Sequence, residues 1–272
     1  MFQRVPILCL RNRAVRRSSA ADKNRRKDMN TYRRMLSLFC VTAAGMIFTA
    51  AAAKSQPGSD KKEFTTDFRI EDCTFSDTGR NAYFSLNPGD RLVLSDGSEV
   101  VEITVLREKR KIDFTTAKGE KLSVSTRVIE ELETENNELI ERSRNFFARC
   151  TETNDILYFG EEVFPEQIGG AWLAGQDDAL PGIIMPGTFL LGARYFQEIA
   201  PDVALDRAEH VQMGLTITVN TMPEKTFDGC VEIVETSPLE PGAKSIKRYC
   251  PGVGLVFDNG LELIDFHIAN DD

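Results

Sequence analysis

Short apolar runs separated by turn residues fill the chain from Phe64 onwards, and this spacing is the strongest constraint on what it can fold into. Turn pairs such as Asp96-Gly97 and Asn259-Gly260 stand between the runs and favour tight hairpins. The runs are short and rich in residues that favour strands, so they indicate a β-rich fold. The predicted strands are residues 90–94, 99–107, 111–115, 120–132, 138–148, 156–160, 171–175, 192–199, 208–219, 227–235, 245–249, 253–257 and 261–267.

The pattern predicts a single, mainly β domain over residues 64–268, with few short helices. We expect an open, strongly curved antiparallel sheet or a partial barrel. Residues 54–63 contain Pro57-Gly58-Ser59 and are predicted to be a flexible lead. Residues 269–272 are predicted to be a tail.

Residues 129–144 admit two interpretations, because Glu and Leu are also good helix formers. As a helix, the segment would carry six polar residues, 133–138, across its apolar stripe. As two strands, it would place those residues at a turn centred on Asn136-Asn137. The hairpin is favoured.

The N-terminal 53 residues have the pattern of a secretory signal. They contain eleven Lys and Arg against two Asp, and residues 35–53 carry no charge and end in Ala51-Ala52-Ala53. A basic stretch, an apolar core and small residues before the cleavage point are typical of a signal segment, with cleavage predicted after Ala53. In one interpretation, residues 1–28 come from a start codon assigned too early; a long basic region is the other.

An uncleaved membrane anchor is the alternative, because about 18 apolar residues can span a bilayer. The Ala-rich end of the segment favours cleavage. A membrane partner is therefore expected only through an uncleaved signal, and the predicted location is exported, either periplasmic or extracellular.

Charge disfavours nucleic acid as a partner. The chain contains 33 Lys and Arg and 42 Asp and Glu. Residues 54–272 contain 22 of the basic residues and 40 of the acidic residues. A surface with a net charge near −18 repels phosphate backbones, whose binding depends on Lys and Arg.

Four cysteines remain after the signal, and an even number in an oxidising compartment predicts disulfides. If residues 227–235 and 245–249 form an antiparallel pair, Cys230 stands opposite Cys250 and Glu232 faces Arg248. That pairing leaves Cys73 with Cys150. Free buried thiols and a Cys73–Cys230 bond are the alternatives.

No catalytic, cofactor-binding or metal-ligating residues are predicted, and we expect a protein that is not an enzyme. Its two histidines lack a supporting motif, and His210 is expected at the surface or rim. No cofactor is expected; Ca²⁺ is the minority alternative, with ligands among Asp177, Asp178, Asp202, Asp206 and Glu209.

The segment from Pro181 to Pro186 is predicted to be a crossing or edge loop, because its two prolines remove backbone donors from a central ladder. It is a candidate lid over a ligand, with Pro181, Ile183, Ile184, Met185 and Pro186 as its residues.

Several phrases resemble a family of secreted bacterial β-rich proteins. They are Tyr158-Phe159-Gly160-Glu161, the ALPGIIMPG phrase at 179–187, the SPLEPG phrase at 237–242, and the YCPGVGLV phrase at 249–256. The last phrase is also similar to exported sheet proteins of the DUF3108 type, which implies a LolA-like fold, a curved sheet able to hold lipid. The resemblance implies no catalytic residues, and Cys250 departs from the small residue usual at its position.

The expected function is an exported, non-catalytic binding protein that holds an apolar small molecule against a concave sheet. The alternative is a structural or interaction module that docks another protein of the cell envelope. A hydrolase without a recognisable motif is third; a single Trp disfavours sugar stacking.

Overall fold

The computed structural model describes residues 63–166 and 169–269. It contains a 3-10 turn at Ile70–Asp72 and fifteen strands, so the predicted mainly β fold is confirmed. The strands are β1 (Phe75–Ser76), β2 (Arg91–Ser95), β3 (Glu99–Thr115), β4 (Lys121–Glu135), β5 (Glu138–Cys150), β6 (Ile156–Phe164), β7 (Trp172–Leu173), β8 (Leu180–Met185), β9 (Arg194–Phe196), β10 (Glu198–Ile199), β11 (Arg207–Val219), β12 (Lys225–Thr236), β13 (Ser245–Cys250), β14 (Gly254–Asp258) and β15 (Leu261–His267).

One antiparallel sheet contains all the strands, in the order β10-β8-β6-β5-β4-β3-β2-β15-β14-β13-β12-β11-β9. Beside this path, β1 pairs with β5 and β7 pairs with β6. The two ends of the order, β10 and β9, are separated in the chain by Gln197 alone. The sheet is therefore nearly closed and barrel-like, as the prediction of a curved sheet or partial barrel required.

A glycine makes this near-closure sterically feasible. β9 pairs with β11, whereas β10 pairs with β8, where Glu198 lies opposite Pro181. A Cβ on Gly182 would lie 2.5 Å from the carbonyl oxygen of Phe196 and 2.6 Å from the carbonyl carbon of Gln197. Only glycine allows the backbones to approach this closely. Gly182 thus fixes the seam between the two ends of the sheet.

The hairpin interpretation of residues 129–144 is correct. β4 and β5 pair through a two-residue turn, with Glu135 opposite Glu138. Asn136 and Asn137 have φ values of 53° and 67°, the left-handed conformation that such hairpin turns require. Asparagine tolerates this conformation better than most residues, which explains why the turn falls here.

The two predicted strands 99–107 and 111–115 are one strand, β3, with a register shift between Val105 and Lys109. Arg127 satisfies the carbonyl groups freed at the shift: its Nη1 donates to the carbonyl oxygen of Arg107 at 2.9 Å. Its Nη2 donates to Asp77 Oδ1 at the same distance. A buried guanidinium thus fills the irregularity, so the strand continues through it.

The prediction of a loop at residues 181–186 is wrong. Leu180–Met185 is strand β8, paired with β6 on one side and β10 on the other. Pro181, Ile184 and Met185 are buried, while Ile183 and Pro186 are partly buried, so the segment is part of the wall. Proline is tolerated because β8 and its partner β10 are short and irregular beside the seam.

Two disulfides confirm the favoured pairing of the cysteines, Cys73 with Cys150 and Cys230 with Cys250. Glu232 lies opposite Arg248, as predicted, and Arg248 Nε donates to Glu232 Oε2 at 2.7 Å. Disulfides persist in oxidising compartments and are rare in reducing ones. The pair therefore indicates an oxidising location.

The predicted signal, residues 1–53, and the lead up to residue 62 lie outside the described residues, as does the tail from residue 270. Within the described ranges, no helix has the length and apolar character needed to cross a bilayer.

Candidate functional site

The interior of the nearly closed sheet contains a pocket at the end where β2 begins and β15 ends. Its volume is about 50 Å³. Apolar side chains dominate the lining, and we call this site the apolar pocket. Its lining residues are Tyr83, Phe84, Ser85, Asp90, Leu92, Ile103, Val105, Ile129, Tyr249, Val253, Gly254, Leu255 and Ile268.

Strand alternation brings the wall of the pocket together. Leu92 lies opposite Ile103, and Val105 lies opposite Ile129, so apolar residues of β2, β3 and β4 share the inner face. Tyr249 of β13 closes the opposite side and is 2% exposed. Every second residue of these strands points inwards, which is why the sequence produces a continuous apolar wall.

Irregular chain covers the mouth of the pocket. Residues 83–85 cross it before β2, held by Asn81, whose Oδ1 accepts from the backbone N–H of Tyr83 and Phe84 at 3.0 and 2.9 Å. Tyr83 OH donates to the carbonyl oxygen of Gly229 at 3.1 Å and ties the segment to β12. Ile268 lies at the same end. The cover consists of residues that lie outside the fifteen strands.

Buried carboxyl groups form the other half of the site, and we call them the acidic chamber. Each belongs to a residue that is at most 6% exposed, and one lysine, Lys247, is buried among them. The carboxyl residues are Glu131, Glu133, Glu141, Glu161, Glu198, Asp206, Glu235 and Asp258. Charged groups are rarely buried this completely, so the concentration marks a site.

Lys247 holds one side of the chamber together. Its side chain is fully buried, and its Nζ lies 3.2 Å from Glu235 Oε2 and 3.6 Å from Asp258 Oδ2. The register explains the contacts, because Lys247 lies directly opposite Asp258 on β14 and next to β12 on its other side. A buried ammonium between two carboxyl groups offsets part of their desolvation.

Burial controls the protonation of the carboxyl groups. It raises the pKa of Glu161 well above the usual range, and Glu131 and Glu141 raise it further. The pKa of Glu198 is also raised well above that range, by burial and then by Asp206. Burial raises the pKa of Glu235 to about 7, although Lys247 opposes this shift. The chamber thus holds protons at neutral pH that exposed carboxyl groups would have lost.

Residues at the seam contribute further polar atoms. Gln197 Nε2 donates to Glu235 Oε1 at 2.8 Å, and the backbone N–H of Asp206 donates to Glu198 Oε1 at 2.7 Å. Within the described part of the chain, Glu198 Oε2, Gln197 Oε1 and Ser245 Oγ have no hydrogen-bond partner. All three residues are fully buried. Such atoms need an explanation, because a buried acceptor without a donor costs stability.

The apolar pocket and the acidic chamber are adjacent. Ile129, which lines the pocket, pairs with Asn145 of β5, and Asn145 pairs with Glu161 of β6. Tyr249, on the opposite wall, is two residues from Lys247 on the same face of β13. The chemistry of the interior thus changes from apolar to acidic along single strands.

His210 lies in the wall beside the chamber, and its expected place at the surface is wrong: it is 1% exposed. Its Nε2 is 2.9 Å from Tyr195 OH, its Nδ1 is 3.1 Å from the carbonyl oxygen of Leu190, and its ring stacks on Phe189. Burial lowers its pKa to about 4, so the ring is neutral at pH 7. A neutral, fully packed imidazole acts as a structural group.

The minority Ca²⁺ residues are dispersed. Asp177, Asp178 and Asp202 are exposed, whereas Asp206 is buried and Glu209 accepts from Arg194 Nη2 at 2.8 Å. Among the described residues, one group of three has metal-ligand atoms within 4.8 Å of one another, Cys73, Cys150 and Glu152. Its two sulfurs are bonded to each other, which leaves a single carboxylate as a ligand.

The acidic chamber was missed by sequence reasoning. Glu131 and Glu133 alternate along β4, the spacing of one strand face, but glutamates at alternate positions usually mark the solvent side. Glu133 also lies directly opposite Glu141, a like-charged pair that exposed strands avoid. The pair could not be read from the hairpin alone, because a regular two-residue turn would place Glu133 opposite Ile140, and a register shift between Glu133 and Thr134 places it opposite Glu141.

Fold and site together define a class: an antiparallel, nearly closed sheet protein with a small apolar pocket and a buried acidic chamber in its interior. No family model, curated protein or solved structure matches the chain.

Proposed function

We propose that this chain is an exported, non-catalytic binding protein that holds an apolar ligand inside its sheet. The basic, then charge-free N-terminal segment and the two disulfides support export to the periplasm or the cell exterior. The phrases that resemble exported DUF3108-type proteins imply a LolA-like curved sheet able to hold lipid, which is the kind of site proposed here.

The apolar pocket is the observation that carries the proposal. Its volume of about 50 Å³ is several times smaller than the roughly 300–1,000 Å³ of pockets that enclose a whole small molecule. The pocket therefore receives a narrow apolar group, such as the end of an alkyl chain, and a larger ligand moves the cover at residues 83–85. Each Å² of apolar surface removed from water contributes about 25 cal/mol to binding.

Catalysis is the weaker explanation of the same interior. Carboxyl groups with raised pKa values serve as general acids in hydrolases. Here two carboxyl groups with strongly raised pKa values, Glu161 and Glu198, are at most 2% exposed, and no nucleophile motif accompanies them. An enclosed site of this kind suits retention of a ligand better than turnover.

The proposal is tested by extraction of the protein purified from its own compartment. Mass spectrometry of an organic extract is expected to find one class of apolar compound, close to one molecule per chain. Val105→Phe fills the pocket and is expected to abolish retention. Leu139→Phe, at a side chain that is 61% exposed, is the matched control and is expected to retain the compound. Extracts of wild type and Val105→Phe that are equally empty, or equally loaded, would exclude the pocket as a ligand site.

An interaction module is a second candidate, supported by the free edge of β11. Among the described residues, strand pairing on one side of β11 covers Arg207 to Glu209 only, so residues 211–219 form an open edge without a charged side chain. Met213 is 54% exposed and Leu191 is 56% exposed near its start. Edges of this kind pair with extended segments of other chains. A photoreactive crosslinker at position 213, but not at position 139, is expected to capture one envelope protein in intact cells.

A further inference from the structure

Three buried polar atoms beside Glu235 of the acidic chamber have no hydrogen-bond partner among the described residues, and they do not all belong to acids. They are Glu198 Oε2, the amide oxygen Gln197 Oε1 and the hydroxyl Ser245 Oγ. Each residue is fully buried. The neutral members, Gln197 and Ser245, are evidence for a ligand that is independent of the carboxyl cluster, because electrostatics alone does not account for them.

The three residues that carry these atoms are all linked to Glu235. Gln197 Nε2 donates to Glu235 Oε1 at 2.8 Å, and Ser245 lies directly opposite Glu235 on β13. Glu198 interacts electrostatically with Glu235 as well. The carboxyl group of Glu198 is held in place because its Oε1 accepts a hydrogen bond from the backbone N–H of Asp206. The acceptors are thus held by β10, β12, β13 and the seam, which are rigid elements.

The missing partner is a compact group of donors. An ammonium supplies three N–H donors and a positive charge, which matches three acceptors among acids. The chamber already holds one such group, because Lys247 Nζ lies between Glu235 and Asp258 at 3.2 and 3.6 Å. A metal ion fits less well, because no three carboxylates of the described chamber have oxygens within 4.8 Å of one another.

We propose, building on the proposed function, that the ligand is an amine with an apolar tail, whose ammonium binds Glu198, Gln197 and Ser245. The tail occupies the apolar pocket, since Tyr249 lines that pocket and lies two residues from Lys247 on the same strand face. The surrounding carboxyl groups repel a fatty acid of the same length, and an alcohol supplies only one donor. Head-group chemistry therefore selects the ligand, and the pocket binds its tail.

The experiment compares probes of equal length by isothermal titration calorimetry at pH 8. The probes are n-octylamine, 1-octanol and octanoate, with CaCl₂ alone as a fourth. We expect n-octylamine to bind with one molecule per chain, at least tenfold more tightly than 1-octanol, and octanoate and CaCl₂ to give no saturable heat.

Variants locate the ammonium. Glu198→Gln keeps the acceptor for the Asp206 N–H but removes the carboxyl group that can ionise against a bound ammonium, and it is expected to weaken n-octylamine at least tenfold and to leave 1-octanol unchanged. Ser245→Ala removes one acceptor and is expected to weaken n-octylamine about threefold. Glu138→Gln, at an exposed glutamate outside the chamber, is the matched control and is expected to change nothing. Circular dichroism verifies that each variant folds. If Glu198→Gln does not fold, the titration of Ser245→Ala decides whether the ammonium binds at this place.

The outcomes separate this inference from the proposed function. If none of the octyl probes binds, the proposed function fails and the inference fails with it. If 1-octanol or octanoate binds as tightly as n-octylamine, or if Glu198→Gln and Ser245→Ala leave the amine unaffected, the inference fails and the proposed function stands. If CaCl₂ alone gives saturable heat that is lost in Glu198→Gln, the site binds a metal ion rather than an ammonium, and the inference fails.

Discussion

The apolar pocket and the acidic chamber are adjacent parts of the interior, yet they have opposite chemistry. Along β4 the change occurs between Ile129 and Glu131, and along β13 between Tyr249 and Lys247. Burying the apolar side chains stabilises the fold, whereas burying the carboxyl groups costs stability even when they are paired or protonated. The pocket thus has a sufficient structural reason to exist, and the chamber does not. This difference is the reason to look for function in the chamber.

Of the substitutions proposed here, Lys247→Met is expected to destabilise the acidic chamber most. Glu235 and Asp258 lose their buried cation, and the free energy of unfolding is expected to fall by about 3–5 kcal/mol. Urea denaturation at pH 7 measures the change. Lys121→Met, at an exposed lysine, is the control and is expected to change it by less than about 0.5 kcal/mol.

Adding Glu235→Gln to Lys247→Met is expected to recover part of that loss, because the carboxyl group left without its cation is then removed. A Lys247→Met protein as stable as wild type would mean that the chamber is already neutral without its lysine.

Truncating Ile129 to Ala tests the apolar half. The residue is 2% exposed, and the lost burial together with the enlarged cavity is expected to cost about 2–4 kcal/mol. Ile264→Ala, at an isoleucine that is 39% exposed, is expected to cost under about 1 kcal/mol in the same denaturation experiment. Equal costs at the two positions would show that the pocket wall is loosely packed.

The pH dependence of stability distinguishes the halves without mutation. Burial raises the pKa of Glu161, Glu198 and Glu235 in the folded chain, the last to about 7. Above pH 4.5 the folded chain therefore holds protons that the unfolded chain has lost, so stability falls as pH rises. Between pH 6.5 and 9 the expected fall is about 1–3 kcal/mol.

The window is chosen because His210 acts in the opposite direction below it. Burial lowers the pKa of His210 to about 4, so its contribution is lost as pH falls from 6.5 towards 4. Charged groups near the three glutamates are Glu131, Glu141, Asp206, Lys247 and Asp258. Urea midpoints at pH 6.5 and 9 measure the effect, and a stability that rises across this range would contradict it.

Of the predicted changes in stability, the change caused by Glu161→Gln is the smallest. Because burial raises the pKa of Glu161 well above its usual range, the neutral amide resembles the protonated acid, and it is expected to change the free energy of unfolding at pH 7 by less than about 1 kcal/mol. The same variant is expected to reduce the fall between pH 6.5 and 9. Denaturation at both pH values tests this, and a loss at pH 7 as large as that of Lys247→Met would show that Glu161 is ionised.

Local features of the sequence were sufficient to predict much of the fold. Turn pairs and alternating runs predicted the hairpins, and Asn136-Asn137 located the turn between β4 and β5 because both residues tolerate positive φ. The alignment of Glu232 with Arg248 placed Cys230 opposite Cys250. These features act between neighbouring strands, where spacing in the chain translates directly into contact.

Long-range features could not be predicted in this way. The seam depends on Gly182 meeting residues 196 and 197, and nothing local to Pro181 shows that β10 will cover it. The acidic chamber depends on the same near-closure, because Glu131 and Glu133 are buried only when the sheet curves round them. A polar side chain in an alternating strand can lie on either face of the sheet. Without knowledge of the curvature, the sequence pattern predicts that it lies on the solvent face.

A crystal structure of the protein purified from its own compartment, without added ligand, tests the central claim most directly. We predict elongated density in the interior, running from the Ile103 and Ile129 side of the apolar pocket past Tyr249 towards Glu198. An interior empty of such density, with bound material only on the outside along residues 211–219, would contradict it.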